Sequence, residues 1–206
     1  MQSKKKFSPK KGLVVVISGP SGVGKSTVVK SLLQRASFIK LSISYSTRPA
    51  RKGEVEGKDY FFIKMEEFLE KVSKKEFLEW AKVHGHYYGT EQTFVDNELA
   101  KNHVVVLEVD VQGAERIREM IRQGEWRVPS AVFVFLIPPS VSILSSRLEG
   151  RKTETQEAID HRLRAAMGEL QVMEKYDYIV VNEEVASAAK KIEAIIRVEL
   201  ERKMLN

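Results

Sequence analysis

The stretch Gly19-Pro20-Ser21-Gly22-Val23-Gly24-Lys25-Ser26-Thr27 has the spacing G-x-x-x-x-G-K-[ST], which is suited to holding a triphosphate. Its glycines let successive backbone N–H groups turn inward around a phosphate oxygen. The positive end of a following helix adds attraction. Lys25 can reach the β- and γ-phosphates, and the Ser26 hydroxyl is placed to ligate Mg²⁺. Residues 19 to 27 are therefore expected to form an ATP site. Two other stretches carry chemistry. Arg48 and Arg51 stand three apart around Pro49, with Tyr60 twelve residues beyond Arg48. Two guanidinium forks can fix a dianionic phosphate in a way that lysine cannot, although such a loop taken alone reads as a solvated basic turn. In "EWAKVHGHYYGT", Glu79 shares a short stretch with Trp80, Tyr87 and Tyr88. In isolation that acid reads as an exposed residue on a helix.

These groups need a frame. Four short, β-branched apolar runs begin at Leu13, Val104, Ala131 and Tyr178 and have the character of strands covered on both faces. Amphipathic helical stripes separate them, such as Val28, Val29, Leu32 and Leu33, or Ile159, Leu163, Ala166 and Leu170. Strand alternating with helix predicts an α/β fold, with a parallel sheet flanked by helices. The phosphate motif follows the first strand and opens the first helix. Glu108 and Asp110 end the second strong strand and face the same way, at the sheet edge where ligands bind. Acids there also serve as helix caps. Residues 43–90 and 138–168 break the alternation, the first with arginines, glycines and aromatics, the second with Arg147, Arg151, Arg162 and Arg164.

The 206 residues suit one domain with insertions. They include 43% hydrophobic and 30% charged positions, which excludes a disordered class. The absence of cysteine excludes disulfides and thiolate metal sites. The longest apolar run near the start, Leu13 to Ile17, is too short for a signal peptide or a membrane span, so a cytoplasmic protein is expected. The net charge of +6 favours anionic partners. Part of it lies in residues 1–10, which read as a flexible basic tail rather than a nucleic-acid arm.

Taken with the phosphate motif, the blocks "STRPARKGEVEGKDY", "EFLEWAKVHGHYYGT", "LEVDVQG" and "RLEGRKTETQEAIDHRL" make the chain resemble the guanylate kinases, P-loop enzymes that move a phosphoryl group from ATP to GMP. The resemblance runs from about Val14 to the last helix. It implies a core of residues 11–42, 91–137 and 169–206, a GMP-binding subdomain at 43–90 and a lid at 138–168. It assigns Arg48, Arg51, Tyr60 and Tyr88 to the GMP phosphate. Glu79 takes the guanine N1–H and amine, Ser44 serves O6, and Thr90 and Asp110 lie near the amine. Asn182 falls where the family meets the donor adenine, and Glu108 lies close to the Mg²⁺ region. Lys25, Arg147, Arg151 and Arg162 are implied to neutralise the moving phosphoryl. The lid departs from the usual G-R-G, since Gly150-Arg151 is followed by Lys152.

The implied partners are ATP with Mg²⁺ and GMP, with no nucleic acid or membrane, acting as a monomer or small homo-oligomer. Two rivals stay open at this level. A phosphopeptide-binding module of the same fold would be expected to have a degraded phosphate loop, whereas Gly24, Lys25 and Ser26 are intact. A kinase for another nucleoside monophosphate would differ in its base pocket. A GTPase would carry an N-K-x-D element, which the chain lacks. His84 and His86 alternate like strand neighbours, but no third ligand accompanies them, and they read as polar surface.

Overall fold

The computed structural model describes residues 12–83, 85–149 and 156–202. In chain order the elements are β1 (Leu13–Ser18), α1 (Lys25–Leu33), β2 (Ile39–Ser42), β3 (Tyr45–Ser46), β4 (Phe61–Phe62), α2 (Met65–Ser73), β5 (Phe77–Val83) and β6 (His86–Glu91). There follow α3 (Gln92–Ala100), β7 (Val104–Glu108), α4 (Val111–Gln123), β8 (Ala131–Ile137), α5 (Val141–Glu149), α6 (Gln156–Leu170), β9 (Tyr178–Val181) and α7 (Val185–Arg202). The tail residues 1–10, His84 and Arg151 lie outside the described residues.

The principal sheet is parallel throughout, in the order β2-β7-β1-β8-β9. Its central strand β1 is buried at every position, which explains the unbroken apolar run. Leu13, Val15 and Ile17 meet Val28, Val29 and Leu32 of α1 and Ile192 and Ile196 of α7 on one face. Val14 and Val16 meet Val95 of α3 and Ala114 and Ile117 of α4 on the other. Each such aliphatic side chain contributes about 2 kcal/mol through burial, so this frame is stiff beneath the residues it positions. The edge strand β2 was not among the four strands read from the sequence. Only Ile39 and Ser42 of it are buried, and Lys40 interrupts the apolar pattern that marks covered strands.

A second, four-stranded sheet in the order β4-β3-β6-β5 is made by residues 45–91. Its strands are short and mostly half-buried, and its inner face is aromatic. Phe68 lies 4.7 Å from Phe77 and 5.5 Å from Tyr87, and Trp80 lies 5.9 Å from Tyr87. Trp80 and Tyr87 thus pack within this subdomain. Strand β5 is irregular. Its pairing with β6 shifts register between Phe77 and Glu79, a β-bulge. The bulge allows three successive buried residues to enter three surroundings. Phe77 joins the aromatic face, Leu78 joins the principal core beside Val95 and Ala114, and Glu79 faces a cleft.

Candidate active site

The cleft lies between the two sheets. Its wall includes Gly19, Ser21, Gly22, Gly24, Lys25, Ser26 and Thr27 on one side and Ser44, Arg48, Arg51, Tyr60, Glu79 and Tyr88 on the other. Glu108, Asp110 and Arg162 also line it. Pro20, Val23, Thr90, Arg147 and Asn182 are not part of that lining.

On the side of residues 19–27 the loop between β1 and α1 is backbone architecture. Gly24 caps α1 in the left-handed region, at φ 94°, a conformation that favours glycine. Asn182, buried at the end of β9, donates from Nδ2 to the Val23 carbonyl at 2.7 Å. Arg147 of α5 donates to the same carbonyl at 3.2 Å and to the Asn182 carbonyl at 3.2 Å. Both side chains therefore brace the loop from below. Lys25 Nζ donates to the carbonyls of Gly19 at 2.6 Å and Pro20 at 3.3 Å. The Ser26 hydroxyl donates to Glu108 Oε1 at 2.6 Å, and burial pushes the Glu108 carboxyl up from its ordinary range.

Helix α6 grips the tip of the loop at two points. Arg162 NH2 donates to Ser21 Oγ at 2.8 Å, and the Ser21 N–H donates to Glu169 Oε2 at 3.0 Å. Arg162 and Glu169 are seven residues apart, two helical turns, and so share a face. Sequence reasoning missed Glu169. Its only signal was that spacing from Arg162.

The opposite wall is made of side chains. Arg48 is 6% exposed. Its NH1 and NH2 donate to Glu54 at 2.6 and 2.7 Å, and NH1 also donates to the Pro49 carbonyl at 3.0 Å. Its guanidinium stacks 4.7 Å from the Tyr60 ring. The paired Glu54 is held below the usual carboxylate range, chiefly by the hydrogen bond from Arg48. Glu54 also accepts the Arg51 N–H at 2.7 Å, so one acid shapes the loop that carries both arginines. It too was missed, hidden in a stretch that reads as mixed surface charge. Burial pushes the Tyr60 phenol up to about 12, and Tyr88 packs edge-on to it at 5.8 Å.

Glu79 is not an exposed helical acid, the reading it invites in isolation. It lies on strand β5 and is 5% exposed. Thr90, opposite it on β6, donates its hydroxyl to Oε1 at 2.5 Å. Burial pushes the carboxyl up to about 7; the Thr90 hydrogen bond and Arg116 oppose the rise and the charge of Asp110 adds to it. Asp110 caps α4 by accepting the Gly113 N–H at 2.8 Å. A Cβ at Gly113 would stand 2.8 Å from Glu79 Oε2, so glycine there makes room for the acid. Among the described residues no cluster of three or more His, Cys, Asp or Glu could hold a metal. His86 is half-buried on β6.

The family model for guanylate kinase matches residues 11–199. The chain belongs to the guanylate kinase family. It is 47% identical over 187 residues to a guanylate kinase of Caldanaerobacter subterraneus subsp. tengcongensis, covering 91% of this chain and 87% of that one. It is 43% identical to the guanylate kinase of Thermotoga maritima, covering 92% and 88%. The crystal structure of guanylate kinase from Anaplasma phagocytophilum superposes with a TM-score of 0.75 at 36% identity, covering 92% of this chain and 87% of that one. No helix among the described residues is long and apolar enough to cross a membrane.

Proposed function

We propose that the chain transfers the γ-phosphoryl group of ATP to GMP, giving ADP and GDP. One observation carries the choice of base. A buried carboxylate, Glu79, faces the cleft opposite the phosphate loop. Guanine presents N1–H and the exocyclic amine side by side, and an acceptor-only carboxylate suits both. The bond from Thr90 leaves further lone pairs free. Adenine would set its N1 lone pair against the same charge, at a cost of about 2–5 kcal/mol. In this reading Ser44 serves O6, Asp110 and Thr90 lie by the amine, and Arg48, Arg51, Tyr60 and Tyr88 take the GMP phosphate.

The donor is held by residues 19 to 27. Lys25, which rests on the Gly19 and Pro20 carbonyls, turns to the β- and γ-phosphates. Asn182 acts through the Val23 carbonyl. The donor set at Ser26 and Glu108 fits magnesium: both groups are hard oxygens at the phosphate loop. Mg²⁺ usually keeps several waters and leans on one or two protein oxygens together with substrate phosphates. Bound there, Mg²⁺ would neutralise charge on the phosphate oxygens.

The acceptor oxygen belongs to a phosphate whose second pKa is about 6, so it is deprotonated at neutral pH and needs no general base. Catalysis then rests on alignment and on charge neutralisation by Lys25, Arg147, Arg151 and Arg162. Residues 138–168 form the lid in this proposal, residues 43–90 the GMP subdomain, and the rest the core. Closure of the lid keeps water, the competing acceptor, away from the γ-phosphate. A coupled assay of ADP release with ATP and each of GMP, AMP, UMP and CMP tests the proposal. Turnover with GMP alone is expected, and equal turnover with AMP would overturn the assignment.

A further inference from the structure

Arg116 takes no part in the roles above, yet it sits where the two sheets meet. Helix α4 turns Asp110, Gly113 and Arg116 toward β5, each three residues from the last and so on one helical face. Asp110 caps the helix, and the missing Cβ of Gly113 admits the Glu79 carboxylate. Arg116 NH1 donates to the Trp80 carbonyl at 2.7 Å, and its guanidinium lies 5.2 Å from the Trp80 ring centroid. Trp80 directly follows Glu79. Strand β5 is an edge of its sheet, hydrogen-bonded to β6 on one side only. An edge strand exposes a row of backbone groups, and here a side chain of the principal domain takes one of them.

We propose that Arg116 is a positioning residue for guanine recognition, pinning the edge strand at Trp80 to helix α4 and supplying positive charge beside the Glu79 carboxylate. The inference rests on the reading that Glu79 accepts the guanine donors. Among the described residues, the charges that act on Glu79 are those of Asp110 and the exposed Arg116 on α4, and the Thr90 hydroxyl of β6 donates to it. Asp110 disfavours the anion and Arg116 favours it. The acid stands at about 7 with both present, so small changes in this balance alter how much of it is ionised at neutral pH. Loss of the guanidinium moves the midpoint to higher pH and leaves more of the acid protonated, with an O–H donor where the guanine N1–H and amine need a second acceptor oxygen.

The test is GMP affinity by calorimetry from pH 5.5 to 8.5 in the full chain and in Arg116→Gln, Arg116→Lys and Arg116→Ala. Glutamine keeps an N–H donor on α4 but carries no charge and is shorter than arginine. Its midpoint should rise by up to about half a unit, lowering GMP affinity at pH 7 by up to about twofold and recovering toward the parent at pH 8.5. Lysine keeps the charge, so its midpoint should stay with the parent. Alanine loses both, and its KM for GMP should rise about tenfold at pH 7 while its KM for ATP stays within twofold. The titration of GMP's own phosphate near pH 6 is common to all variants and cancels. If alanine fails to fold, the glutamine and lysine variants decide the matter. A glutamine variant with the parent's midpoint overturns the role of Arg116 alone. A parent that binds GMP with no Glu79-dependent step near neutral pH, judged against Glu79→Gln, overturns the underlying reading of Glu79 as well.

Discussion

In the proposed reaction the two walls of the cleft hold phosphate-bearing ligands with different materials. The wall at residues 19–27 is one continuous loop, suited to main-chain donation and braced by Asn182 and Arg147 through the Val23 carbonyl. The opposite wall gathers Ser44, Arg48, Tyr60, Glu79, Tyr88 and Asp110 from separate segments, and each acts through its side chain. Main-chain donors have no pKa and survive most substitutions. Buried side-chain groups titrate and can be removed singly. The difference teaches that sensitivity to pH and selectivity for the base should both reside on the side-chain wall, while the rate of transfer should answer to the loop.

The largest expected effect falls on the loop. Lys25→Ala should lower kcat about a thousandfold, in line with the loss of one preorganised charge at the reacting centre, while calorimetry finds GMP affinity nearly intact. Loss of GMP binding in this variant would erase the division of labour between the walls. Next is Glu79→Gln, for which GMP affinity should fall about a hundredfold with ATP affinity unchanged. Unaltered GMP affinity there would leave the side-chain wall without its selective element. Arg48→Lys retains charge but loses the two-pronged pairing with Glu54 and the stack on Tyr60. A rise in KM for GMP of about tenfold is expected, with KM for ATP as the internal reference.

The smallest effect sharpens the comparison through stability. The Glu79 carboxyl sits at about 7 when folded against an ordinary 4.5. The folded state therefore binds the proton more tightly, and stability falls as pH rises between those values. Glutamine escapes this loss. Glu79→Gln should melt a few degrees above the parent at pH 8 and level with it at pH 5. A parent-like melting curve at both pH values would mean that burial of the acid carries no energetic cost.

The sequence disclosed the two walls unequally, for the same physical reason. The loop is legible because strand, glycines, Lys25 and Ser26 are consecutive, and local spacing determines what they do. The central strands β1, β7 and β8 were equally plain from their unbroken apolar runs, but β2 was not, since an edge strand with Lys40 in it lacks that mark. On the far wall only the family resemblance brought Glu79 together with Arg48. Taken alone, Glu79 looked like surface, because neither the β-bulge at Phe77 and Glu79 nor the space at Gly113 has a local sequence signature. Glu54 and Glu169 were invisible for a similar reason. Each acts across a fold contact, with Arg48 in one case and Ser21 in the other, and acids among neighbouring charges give no hint of such pairing.

Leu78, wedged between Phe77 and Glu79, has its side chain in the principal core. Amides around it should exchange with deuterated solvent as slowly as those of β7, far more slowly than those of the arginine loop at 48–54. In the proposed reaction the arginine loop could then breathe without loosening base selection, because the acid is moored beside a residue of the principal core.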